Sequence, residues 1–185
     1  YKDDPCTLFG VRELSKESQH DKKTNRLIAQ MHKAITVIQF KEEAKLIDRH
    51  PEFQMESRKL LEAINFDKGT CIIDQKEYEM LDTYLPTARG ECPNQLTEEE
   101  ETLMAKLEHS FLTSDKLQRH VQCLLAHGCM YSISNSNLMY HATVPLNADG
   151  SLKEVEIDGT KHKGIDLMKK TGHLVREAFN NDTPK

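Results

Sequence analysis

The stretch NSNLMYHATVPLNADGS, residues 135–151, places one imidazole, His141, inside an otherwise apolar run shortly before Pro145. Alternation along a strand sets Leu138, Tyr140, Ala142 and Val144 on one face and Met139, His141 and Thr143 on the other. A lone His there is either a hydrogen-bonded core residue or a metal ligand displayed at a strand end. The spacing alone leaves both open.

Other groupings are weaker. His20-Asp21 is the dipeptide that supplies two ligands in helical metal-dependent hydrolases. Such sites also need a His upstream and an Asp downstream on helices, and here the pair lies in a polar stretch. His120 and His127 are seven apart on one predicted helix, and His109 lies on the helix before. Two ligands on one helix usually sit three or four apart, so partner-facing or surface histidines are the plainer reading. Lys116, Arg119 and His120 could meet a phosphate, as could Arg176. Ser132, Ser134 and Ser136 sit by turns without a His and an acid placed to activate them. There is no phosphate-cradling P-loop, no G-x-G-x-x-G and no G-x-S-x-G nucleophile elbow.

The elements that must position these groups read from polar to helical to mixed. Residues 1–23 read as a loop or mobile arm. From Thr24, Leu27, Ile28, Met31, Ile35 and Ile38 recur at helical spacing, continuing to Leu46 and Ile47, and Pro51 stops that helix. A second helix is expected over 51–65, with Phe53, Leu60, Leu61 and Ile64 as its apolar set. Cys71–Ile73 and Tyr78–Met80 predict a small hairpin. Thr97 and Glu100 form a capping box, and the run Glu98–Glu101 suits the positive end of the helix it opens. The next helix is capped by Ser114, stops at Gly128 and turns Leu117, Val121, Leu124 and Leu125 inward. A strand, the turn NSN and a second strand follow. The turn NADG, a strand over SLKEVEI, the turn DGT and a last helix over KGIDLMKKTGHLVREAF complete the chain. The order is α+β, and the hairpin at 129–144 looks like the edge of something larger.

Composition bounds the function. The 185 residues are 37% hydrophobic and 30% charged, with nothing like a membrane span or a signal peptide. A net charge of −5 with dispersed basic residues argues against nucleic acid as a partner. Five cysteines, an odd number with no C-x-x-C pair, point away from a disulfide framework and toward a reduced, cytoplasmic compartment. Tyr1 at the start and NNDTPK at the end look cut, so a segment of a longer polypeptide is expected.

Long segments carry a resemblance. QMHKAITVIQFK (30–41), RHPEFQMESRKLLEAIN (49–65), LTEEEETLMAKL (96–107), SDKLQRHVQCLL (114–125) and GCMYSISNSNLMYHATVPLNADGS (128–151) resemble bacterial class III fructose-1,6-bisphosphatases, PEFQM most of all. The resemblance implies a calcineurin-like metallophosphatase fold, a β-sandwich flanked by helices. It implies a binuclear divalent metal site, usually manganese, that activates a water and clamps phosphate oxygens. It also implies hydrolysis of the 1-phosphate of fructose 1,6-bisphosphate, in gluconeogenesis. Of the family's ligand motifs only the strand-end His falls here, so the resemblance makes His141 a metal ligand. Ala142 replaces the Gly that often follows it. The G-D-x-x-D-R-G and G-N-H-D motifs are absent.

The resemblance thus implies a central fragment: residues 1–23 an arm, 24–127 a mainly helical insertion with a small hairpin, and 128–185 a β-rich edge of the core with a closing helix. One ligand of several leaves the fragment alone without catalysis. The partner is a small sugar bisphosphate, with no membrane and no nucleic acid; subunit assembly stays open, a homo-oligomer included. The alternative is a helical interaction or regulatory module without chemistry, and a protein phosphatase on the same core is a third, disfavoured by the insertion segments.

Overall fold

The computed structural model describes residues 1–6, 21–140 and 143–181. The chain divides into two compact units, Tyr1–Leu107 and Glu108–Lys185. The architecture is α+β, small antiparallel sheets between helices.

The first unit is organised by helix α1, Lys22–Arg49. Asp21 caps it, its carboxylate accepting from the Thr24 amide at 2.7 Å. The face it buries follows its apolar spacing only in part, at Ile38 and Ile47. Ala29, Lys33, Val37, Ile38, Lys41, Ala44 and Ile47 are buried, whereas Leu27, Met31 and Ile35 lie exposed. Two lysines can face inward because carboxylates from distant parts of the chain meet them. Lys33 Nζ lies 2.5 Å from Asp4 and 2.7 Å from Asp82. Lys41 Nζ lies 2.7 Å from Glu100 and donates to the Thr87 carbonyl at 2.6 Å. Val37 between them joins Leu61 and Ala88 in the core, with Tyr1, Phe40, Ile64, Phe66 and Leu85 packed around it. Tyr1 and Asp4, both in the stretch read as an arm, therefore take part in this packing, while positions 7–20 lie outside the described residues.

The helix expected over 51–65 does not form. Pro51–Phe53 and Glu56–Arg58 are single 3-10 turns, separated where Gln54 takes a left-handed backbone (φ 53°). Left-handed backbone breaks a right-handed helix. The end of the segment instead becomes strand β1, Ile64–Asn65, which pairs antiparallel with β2, Thr70–Ile73. The predicted hairpin is β2 with β3, Lys76–Glu79, in the register Cys71↔Tyr78. Asp74 and Gln75 between them both have positive φ, as a two-residue turn matching strand twist requires.

Helix α2, Glu98–Leu112, opens on the predicted capping box. The Thr97 amide donates to Glu100 Oε2 at 2.9 Å, and the Glu100 amide to Thr97 Oγ1 at 3.3 Å. In the second unit α3, Asp115–His127, is capped by Ser114 and ends at Gly128. A Cβ on Gly128 would stand 2.3 Å from the Leu124 carbonyl oxygen, so only glycine lets the chain turn off that close. Leu117, Val121 and Leu125 are half-buried, but Leu124 is exposed, contrary to its expected inward place. Strands β4, Tyr131–Ser134, and β5, Asn137–Tyr140, form the second predicted hairpin. A third follows, β6, Val155–Ile157, with β7, Thr160–His162. Its second strand hides in the sequence behind Asp158-Gly159. Helix α4, Gly164–Asn180, closes the chain and buries Leu167 and Gly172.

Candidate functional site

His141 and Ala142 lie outside the described residues, as does His20. The elements on either side of His141 are clear. Before it, the β4–β5 register pairs Tyr131 with Tyr140 and Ile133 with Leu138 on one face, and Ser132 with Met139 on the other. After it, residues 145–153 form a tight loop. Leu146 bridges Leu152, the Asn147 amide donates to the Ser151 carbonyl at 2.8 Å, and the Lys153 amide to the Pro145 carbonyl at 3.0 Å. Asp149 accepts from the Ser151 amide and hydroxyl, which holds its carboxyl below the ordinary carboxylate range. His141 itself lies between this strand and this turn in the sequence, outside the described residues.

The three phosphate candidates fall differently. Arg119 and His120 are exposed on α3. Arg119 lines a shallow groove with Asp115, Gln118 and Gln122. Arg176, on α4, is half-buried and engaged: its guanidinium donates to the carbonyls of Leu125 at 2.9 Å, Gly128 at 2.7 Å and Gly172 at 2.8 Å. It ties the end of α3 to α4, which is work for the fold. Beside it Leu124, Met130 and Val175 line a cleft of about 190 Å³. His109 and His127 are exposed in the last turns of α2 and α3.

The most strongly built polar arrangement is one that sequence reasoning missed. Burial pushes the Asp4 carboxyl up, but hydrogen bonds from Lys33 and the Cys6 amide outweigh it and hold the group below its ordinary value. Glu100 behaves alike: burial raises it, and Lys41, Thr87 and the Thr97 amide lower it further. Burial works against the Lys33 ammonium, yet Asp4 and Asp82 raise its pKa above the usual lysine value. These groups stay charged because each is paired, and they fix loops rather than react. Their only sequence signal was two lysines eight apart on one helix face. A second missed pair is His162 with Asp166, Nδ1 to Oδ2 at 2.5 Å, which orients one imidazole. Burial raises the thiols of Cys6 and Cys71, which disfavours the nucleophilic thiolate, and all five cysteines are free.

Two-metal chemistry needs several oxygen and nitrogen donors converging on one point. Among the described residues no three His, Cys, Asp or Glu come together in that way, so these residues by themselves do not fit a binuclear centre. No helix of the described residues is long and apolar enough to cross a membrane.

Comparison with known proteins supplies what the local geometry does not. A family model described as Firmicute fructose-1,6-bisphosphatase matches residues 1–185. The chain belongs to this family. It is 50% identical to the class 3 fructose-1,6-bisphosphatase of Phocaeicola vulgatus, over all of this chain and 28% of that protein. It is 50% identical to that of Bacteroides thetaiotaomicron and 45% identical to that of Clostridium novyi, each over 97% of this chain and 27% of the relative. The chain thus spans little more than a quarter of the length of the curated relatives it matches. No solved structure matches it.

Proposed function

We propose that these residues are part of a longer fructose-1,6-bisphosphatase, which hydrolyses the 1-phosphate of fructose 1,6-bisphosphate to fructose 6-phosphate and phosphate in gluconeogenesis, in the cytoplasm. The observation that carries this is half-identity to class 3 enzymes along the whole chain. Within that protein residues 24–127 are a mainly helical insertion, and residues 128–185 are an edge of a calcineurin-like core. Manganese in that core supplies Lewis acidity and charge neutralisation for the phosphate. His141 provides one ligand, and the others come from outside the described residues. Arg119 and His120, both exposed on α3, are candidates for a substrate phosphate. Arg176 acts by holding the α3–α4 junction from which the His141 hairpin departs.

One ligand does not make a two-metal site, so the 185 residues alone are inactive. A second reading, an interaction module without chemistry, draws on the absence of a ligand cluster among the described residues. Manganese-dependent phosphate release separates the two. The longer polypeptide is expected to release phosphate from fructose 1,6-bisphosphate and the 185-residue chain is not. An inactive longer polypeptide selects the module.

A further inference from the structure

We draw no further inference here: the strongest candidate, the apolar cleft between the end of α3 and α4 lined by Leu124, Cys129, Met130 and Val175 beside the carbonyl-bound Arg176, is an unpartnered face, and nothing in the structure shows what covers it.

Discussion

In the first unit Val37, Leu61 and Ala88 are shut off from water, ringed by aromatic and aliphatic side chains, and bordered by two buried carboxylate–lysine contacts and a third that is part-buried. In the second, Leu167 and Gly172 are the fully buried positions among the described residues. Its hairpins present Ile133, Leu138 and Tyr140 to solvent on one face. Two-stranded hairpins are marginal in water and gain stability from a third strand or a covering helix. The first unit builds a buried core of its own, and the second buries far less. That difference is expected if the hairpins after α3 are completed by sheet from elsewhere in the polypeptide.

The contrast predicts where substitutions bite. Lys33→Ala should have the largest effect, because it leaves the buried Asp4 carboxylate beside Asp82 without the ammonium that pairs both. Breaking a buried pair this way costs about 3–5 kcal/mol, read from urea unfolding followed by helical circular dichroism. A loss under ~1 kcal/mol would mean the pair is as wet as a surface one. Arg176→Ala removes three charge-assisted bonds in the second unit and should cost roughly 1.5–3 kcal/mol. Its sharper signature is faster hydrogen exchange at the amides of Gly128 and its neighbours, with α1 unchanged.

Acid acts on the same contacts more gradually. Asp4 and Glu100 are held below their ordinary pKa values in the folded chain. Their stabilisation is complete above the unfolded carboxylate range near pH 4. It is lost as pH falls through the lower folded values. Lys33 is shifted the other way, so its share is complete below the ordinary lysine value and is lost only as pH rises beyond it. The first unit should therefore hold a stability plateau from about pH 5 to 9 and weaken below it. An acid limb that survives unchanged in Asp4→Asn/Glu100→Gln would assign it to other groups. The smallest effect is expected from Thr97→Ala, which removes one half of the capping box and should cost about 1 kcal/mol.

Local signals were legible and long-range ones were not. The capping box, the Ser114 cap, both predicted hairpins and helices α1, α3 and α4 follow from contacts within a few residues. Where the reading failed, a distant partner or a single backbone angle decided. Phe53, Leu60, Leu61 and Ile64 imitate a helical stripe, but Gln54 turns left-handed and the segment ends as a strand. The apolar period of α1 marks Leu27, Ile28, Met31, Ile35 and Ile38; Ile38 is buried as expected, but Leu27, Met31 and Ile35 are exposed, while carboxylates at positions 4, 82 and 100 let Lys33 and Lys41 face inward. Of the candidate site, the strand and turn around His141 were readable. The engagement of Arg176 with three carbonyls was not, since those acceptors are set by how α3 ends.

The most direct test compares the full-length protein with its His141→Ala variant for manganese-dependent phosphate release from fructose 1,6-bisphosphate. Circular dichroism confirms that both are folded. Loss of a metal ligand should lower turnover at least a hundredfold and weaken manganese binding in the same variant. Equal turnover and equal manganese affinity in the two proteins would contradict the account and return His141 to the hydrophobic core.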